Sequence, residues 1–147
     1  MPTPDEMREL NRRFVEEVFN KQNLDAADQM LAEEFVEHAD MLPGMTPDKQ
    51  GALEWFKMAF GMSSDMKVEI MRVIVSGDRM ASHTVMRGTD TGGGMQGMPP
   101  TNKPFEMESI DIVRVNDEGM ITDHWGITDT MTMMQQLGLA PTGPPPA

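Results

Sequence analysis

The chain has no cysteine, which excludes disulfide frameworks, zinc–thiolate sites, iron–sulfur clusters and thiol nucleophiles. Basic residues are scarce as well, with 12 Lys and Arg against 24 Asp and Glu and a formal net charge of -12. A surface this acidic repels phosphate backbones and anionic lipids, so we expect neither nucleic acid nor a membrane as a partner.

Long apolar segments are also lacking. No run approaches the roughly 18 to 20 residues of a membrane-spanning helix, and the start, MPTPDEMREL, has neither the basic nor the apolar region of a signal peptide. We therefore expect a soluble, cytoplasmic protein. Its 147 residues fit a single domain, 1–139, followed by a flexible Pro-rich tail, 140–147.

Methionine is abundant, with 18 copies in the chain. Because this side chain is flexible and fills irregular space, the composition favours a pocket with adaptable walls. The alternative is that this lineage uses methionine where others use leucine, and the sequence leaves both open.

The periodicity of apolar residues predicts helices first and strands afterwards. Steps of three and four residues follow candidate caps at Asp5, Asn23 and Thr46, and these patterns predict three helices. The period then changes to two, which predicts strands over 66–75, 79–87, 105–115 and 121–127, before a short helix over 129–137. This order predicts an α+β fold in which a curved antiparallel sheet wraps around the helices and encloses an apolar cavity.

The strand over 105–115 carries the most informative pattern. Ser109 and Asp111 occupy the middle of an otherwise apolar stripe on one face. If a four-residue loop leads from Val115 into the next strand, Asp111 faces His124 and Ser109 faces Gly126, with Cβ atoms about 5 Å apart. The sequence therefore predicts an Asp–His dyad on one face of the sheet.

Such a dyad suits acid/base catalysis. A carboxylate orients an imidazole and raises its pKa, which favours His124 as a general base near neutral pH. Two alternatives stay open: a satisfied polar pair at a sheet edge, or a one-residue bulge at Gly119 that places Asp111 opposite Trp125.

Several further residues are candidates for contact with a ligand. Asp129 either caps the last helix or directs its carboxylate inward from the first turn. His83 lies mid-strand and is either a core residue or an oxyanion donor, and His38 lies at a cavity mouth or on the surface. The predicted ligand-binding set is Ser109, Gly126, His83, Met107, His38, Trp125 and Asp129. The histidines lack metal-ligand spacing, so no metal is expected.

The segment 91–104, TGGGMQGMPPTNKP, predicts a loop with a mobile glycine run and a stiff Pro-Pro return. A methionine-bearing flap beside a pocket and a plain surface loop are both compatible with this composition. Its length without regular structure favours a functional role.

The run GMQGMPPTNKPFEMESIDIVRVNDEGMITDHWGITDTMTMMQQLG resembles the SnoaL-like polyketide cyclases, or ester cyclases, of the nuclear transport factor 2-like superfamily. The opening FVEEVFNKQNLDAADQMLAEEFVEH is similar to the first helices of that family. The resemblance implies a cone-shaped α+β barrel, homodimers formed through the sheet, and a cofactor-free intramolecular aldol closure of a polyketide ester.

The resemblance also implies an acid/base aspartate on the last strand, and its position falls on Gly126. The residues that assist it on the preceding strand fall on Ser109 and Asp111, where founding members have a longer amide and a histidine. We therefore expect His124, supported by Asp111, to replace the missing aspartate, with Gly126 leaving room for a bulkier ligand.

Two functions of different classes remain open at this point. One is a cofactor-independent cyclase or lyase that acts on a small apolar carbonyl compound. The other is a non-catalytic protein that binds a small molecule in the same cone. Epoxide hydrolysis needs an Asp-Arg-Asp arrangement, which the sequence does not place around Arg72 or Arg87. We further expect a homodimer through the apolar face formed by Ile110, Ile112, Trp125 and Ile127.

Overall fold

The computed structural model describes residues 1–93 and 97–144. Its elements, in chain order, are helix α1 (Pro4–Arg13), a π-helical continuation (Phe14–Asn20), α2 (Leu24–Met30), β1 (Leu31–Glu37), α3 (Lys49–Met62), β2 (Lys67–Ser76), β3 (Arg79–Thr89), β4 (Pro104–Val115), β5 (Ile121–Thr128) and α4 (Thr130–Gln136). None of the helices in these residues is long and apolar enough to cross a bilayer. The predicted flap residue Met95 and the last three residues of the tail lie outside the described residues.

The predicted helices are present, and two of the three N-terminal ones begin at a different residue than expected. Helix α1 begins at a capping box in which the Thr3 hydroxyl accepts from the Glu6 amide and the Glu6 carboxylate accepts from the Thr3 amide, so Asp5 is not the cap. Helix α3 is capped by Asp48, whose carboxylate accepts from the Gly51 amide and from the Thr46 hydroxyl. The cap predicted at Asn23 is confirmed by its contact with the Ala26 amide.

The sheet has one strand more than the sequence predicted. The order is β1-β5-β4-β3-β2, and β1 runs parallel to β5, so the sheet is mixed, where an antiparallel one was expected. The apolar pattern predicts no strand over 31–37, because periodicity does not distinguish strand from helix in a segment this short. The fold class is α+β as predicted, with the sheet curved and not closed.

The predicted register between β4 and β5 is wrong by two residues. Asp111 pairs with Gly126, Val113 with His124, and Ser109 with Thr128. The loop is longer than expected because Val115 pairs with Ile121, and an irregularity beside Arg114 adds a further residue to β5. A shift of two residues preserves the faces, so Asp111 and His124 still lie on the same side of the sheet.

Three apolar clusters cover the two ends of the inner face, which is the sheet face turned toward the helices. Val113 packs against two of them, one built around Val18 and Phe56 and one around Met7 and Met80. The third lies at the other end of β4, where α4 packs on the strand; its buried members are Met62, Phe105, Met133 and Leu137. The middle of the inner face is left to polar side chains.

Candidate active site

The polar centre of the inner face is built by pairing across three strands. Ser82 on β3 pairs with Asp111 on β4, which in turn pairs with Gly126 on β5. The next row joins Thr84, Ser109 and Thr128. Because side chains alternate along a strand, all of these residues project from the same face.

His124 lies between two carboxylates. Its Nε2 is 2.8 Å from Oδ1 of Asp111, and its Nδ1 is 2.7 Å from Oε1 of Glu37. The predicted contact between Asp111 and His124 is therefore present, reached diagonally from the neighbouring pair. A second carboxylate, on β1, occupies the other ring nitrogen, and we call the three residues the carboxylate–histidine clamp.

The clamp changes the charge of the ring. Burial lowers the pKa of His124, but the hydrogen bonds and charges of Asp111 and Glu37 outweigh it and raise the pKa to about 9. At neutral pH the ring is therefore an imidazolium that donates through both nitrogens. This differs from the general base expected from the sequence, because a ring that is already protonated has no lone pair to accept a proton.

Asp111 is the partly open end of the clamp. Its side chain is 33% exposed, against 10% for Glu37. The hydroxyl of Ser109 donates to Oδ2 of Asp111 at 2.8 Å and lies 3.1 Å from the hydroxyl of Thr128. Asp111 thus has one oxygen toward His124, one toward Ser109, and access from solvent.

Gly126 leaves the space that the side chains of Asp111 and His124 occupy. A Cβ atom built on Gly126 would lie 2.6 Å from Oδ1 of Asp111 and 2.9 Å from Nε2 of His124. Both distances are shorter than van der Waals contact, so any side chain at this position requires the two partners to move. The hydrogen bond between Asp111 and His124 in this geometry therefore requires glycine at position 126.

Three of the predicted ligand-binding residues lie on the opposite, outer face of the sheet. His83 pairs with Ile110 and lies 3.6 Å from the Glu108 carboxylate. His38 stacks on Trp125 with ring centroids 4.5 Å apart. These three side chains therefore lie on the side of the sheet opposite to Asp111 and His124.

His38 also has a carboxylate partner of its own. Its Nε2 is 2.9 Å from Oδ2 of Asp123, a residue that pairs with Arg114 on the outer face. The guanidinium of Arg79 lies 5.6 Å from the centre of the Trp125 ring. These contacts form a separate polar and aromatic group on the outer face, distinct from the clamp.

The remaining two candidates both lie at the end of the sheet on which α4 packs. Asp129 caps α4, since its carboxylate accepts from the amide and the hydroxyl of Thr132, and it is exposed rather than directed inward. Met107 is half-buried and packs against the cluster beneath α4. It lies on the clamp's face of β4, two strand positions beyond Ser109.

Glu37 is the site residue that sequence reasoning missed. The sequence predicts no strand at its position, and nothing in the alternation of β4 and β5 points to a residue of the first half. Leu31 and Phe35 of this strand are buried, but apolar residues four positions apart indicate a helix rather than a strand. Only the pairing of β1 with β5, which sets Glu37 beside His124, brings the carboxylate to the ring.

Two concave regions of the surface lie away from the clamp. One, of about 580 Å³, is lined in part by Arg87, Lys103 and Gln136. The other, of about 320 Å³, lies near Asp28 and Lys49. Neither is lined by a residue of the clamp, so an apolar cavity around the clamp stays a prediction.

Comparison with known proteins gives the family. The sequence model of the SnoaL-like polyketide cyclases matches residues 9–137. Nogalonic acid methyl ester cyclase from Streptomyces nogalater is 26% identical over 123 residues, 82% of this chain and 89% of that protein. Wild-type IdmH from Streptomyces antibioticus is 32% identical, with a TM-score of 0.77 over 90% of this chain and 98% of that one.

A more distant structure supports the fold. A protein of ketosteroid isomerase-like fold from Catenulispora acidiphila DSM 44928 is 17% identical and superposes with a TM-score of 0.72, covering 98% of this chain and all of that one. The nuclear transport factor 2-like architecture expected from the sequence is thereby confirmed. With the family match extending over most of the chain, this protein belongs to the SnoaL-like polyketide cyclase family.

Proposed function

We propose that the protein catalyses a cofactor-free, intramolecular aldol-type closure of a small apolar carbonyl compound, with Asp111 and His124 as its acid/base pair. The observation that carries this proposal is the placement of the Asp111 carboxylate. Its Oδ1 lies 2.6 Å from the point where a side chain at position 126 would begin. A carboxylate from β4 thus occupies the space beside the position where the family resemblance places an aspartate on β5.

In this mechanism Asp111 is the proton acceptor. It removes a proton from the carbon next to a carbonyl, and the resulting enolate carbon forms a bond to a second carbonyl carbon of the same molecule. The electron pair of that second C=O bond moves to its oxygen, which takes the proton back from Asp111. No proton or electron is gained or lost overall, so no cofactor is needed.

His124 and Ser109 supply hydrogen-bond donors. As Asp111 becomes neutral, the Nε2–H of the imidazolium loses its charged acceptor and becomes available to the developing enolate oxygen. The hydroxyl of Ser109, 2.8 Å from Oδ2 of Asp111, is the second donor at this point. His83, the other donor considered from the sequence, lies behind the sheet and takes no part.

A binding protein without turnover is the second candidate. The observation that favours it is that both nitrogens of His124 are occupied by carboxylates of the chain itself. In that case the clamp would order the inner face for a ligand without transferring protons.

Nogalonic acid methyl ester, named as the substrate of the Streptomyces nogalater relative, is the first compound to test, together with smaller β-keto esters. We expect Asp111→Asn to lower kcat by about 10² to 10⁴-fold and His124→Gln to lower it as well, because both remove a group of the acid/base pair. Asp117→Asn, in the exposed hairpin turn, is the matched control and should keep wild-type turnover.

Retention of turnover in both the Asp111 and the His124 variants would contradict the proposed mechanism. Tight binding of the esters by wild type with no turnover of any compound would favour the binding protein. These two outcomes are separated by calorimetric titration run beside the rate assay.

A further inference from the structure

Glu37 is an almost buried carboxylate that the proposed reaction does not use. It ends β1, and its Oε1 accepts a hydrogen bond from the Ala39 amide at 3.0 Å in addition to the contact with His124. The backbone around it is fixed too, because the Glu37 amide donates to the Pro47 carbonyl and the His38 amide donates to the His124 carbonyl. The carboxylate therefore has a single well-defined position.

A buried charge is unfavourable unless it is paired, and Glu37 is paired with the ring that contacts Asp111. Its Oε1 reaches Nδ1 from one side while Oδ1 of Asp111 reaches Nε2 from the other. An imidazole held at both nitrogens cannot rotate about its χ2 angle without losing a charge-assisted hydrogen bond. The three strands β1, β5 and β4 thus hold the ring in one orientation.

We infer that Glu37 is a positioning residue, which fixes the His124 ring so that its Nε2–H points at Oδ1 of Asp111. Glu37 itself contacts no reacting atom in this arrangement. The effect of Glu37 on catalysis rests on the function proposed above. Its contact with the His124 ring can be measured independently of turnover.

The charged groups around the ring come from two elements. Glu37 faces it from β1 and Asp111 faces it from β4. Asp123, the adjacent residue on β5, lies on the outer face with His38 and does not contact the ring. A change in the titration of His124 on removal of one carboxylate therefore reports on that carboxylate.

The test compares Glu37→Gln with Glu34→Gln, an exposed residue of the same strand. NMR titration of the His124 ring protons should give a pKa lower by about one unit or more in Glu37→Gln, since a charged partner in hydrogen-bond contact is lost. The Glu34 variant should titrate as wild type. An unchanged His124 titration in Glu37→Gln overturns the inference.

Turnover gives the second readout. We expect Glu37→Gln to lower kcat about tenfold or more at pH 8, to move the alkaline limb of the pH–rate profile downward, and to leave KM nearly constant. A lowered His124 pKa with wild-type kcat and pH profile overturns the positioning role in catalysis while leaving the contact itself intact.

Failure of the proposed function is distinguishable from failure of this inference. If the proposed function is wrong, the wild type and both Glu variants are all inactive, and the His124 titrations alone decide whether Glu37 holds the ring. If Glu37→Gln does not fold, Glu37→Asp keeps the charge and withdraws it by one methylene. Its His124 pKa should lie below the wild-type value, and an unchanged pKa overturns the inference.

Discussion

Strands β4 and β5 present two unlike faces from one stretch of sequence. On the inner face, Ser109, Asp111 and His124 are hydrogen-bonded to one another or to Glu37. On the outer face, Ile110 is 55% exposed and Ile127 81% exposed. The inner face is completed by residues of the same chain, and the outer face leaves apolar surface in water. The comparison indicates that the chain itself completes the site, whereas it leaves apolar side chains of the outer face uncovered.

The largest effect is expected at Gly126. The family resemblance predicts an aspartate at this position, and that residue would disrupt the contact between Asp111 and His124. Gly126→Asp places a Cβ within 3 Å of Asp111 and His124 and adds a negative charge beside Asp111. The two side chains must move apart, so we expect kcat to fall by about 10²-fold, the scale of losing an acid/base group. Steady-state kinetics with nogalonic acid methyl ester measure the change.

Gly126→Ala is the companion variant, because it adds the Cβ without the charge. It should also impair turnover and should fold, since both neighbours are ends of side chains rather than backbone. Turnover at or above the wild-type rate in Gly126→Asp would assign the acid/base role to position 126 and remove it from Asp111.

The second effect concerns the charge on the inner face, which makes the free energy of unfolding depend on pH. The pKa of His124 is raised from 6.5 to about 9 in the folded chain, so folding favours the protonated ring. This contribution is fully present below about pH 6.5 and is lost as the pH rises through about 9, amounting to about 3 kcal/mol.

Urea unfolding at pH 6 and pH 9.5 measures this loss, and His124→Gln is the reference in which the His124 contribution is absent. We expect the free energy of unfolding to fall more between the two pH values in wild type than in the variant. Equal falls in the two proteins would show that the clamp does not hold the ring in its charged form.

The outer face gives the third effect. We propose that a second copy of the chain covers it, since Ile74, Ala81, Ile112 and Trp125 form one row across four strands and exposed apolar patches of this kind mark interfaces. Ile127→Glu should raise the dissociation constant of the dimer by about tenfold or more. It places a charge in the proposed interface and removes an isoleucine side chain whose burial there would contribute about 1.5 to 3 kcal/mol.

Sedimentation velocity over a dilution series measures the dimer, with Met131→Glu as the control on exposed apolar surface of α4. Ile127→Glu should keep wild-type kcat if the inner face is complete in one chain. A monomeric wild type at micromolar concentration would contradict the proposal for the outer face.

Much of the fold was predictable because local signals agreed with the tertiary structure. The period-two pattern located β2 to β5 to within two residues at each end, and the cap at Asp129 fixed the start of α4. The pairing of β1 was not predictable, because a parallel strand joins a partner some 90 residues later and leaves no turn between them.

The sequence by itself determined that Asp111 and His124 share a face, because alternation survives a register error of two residues. Their contact is diagonal, between neighbouring pairs, and only the register of the structure decided it. The tertiary structure alone decided the charge of the site. Glu37 arrives from the far edge strand, and the second carboxylate turns His124 from the expected base into an imidazolium. Side-chain direction follows from local backbone geometry, whereas a pKa depends on every charged group within a few ångströms, whatever its place along the chain.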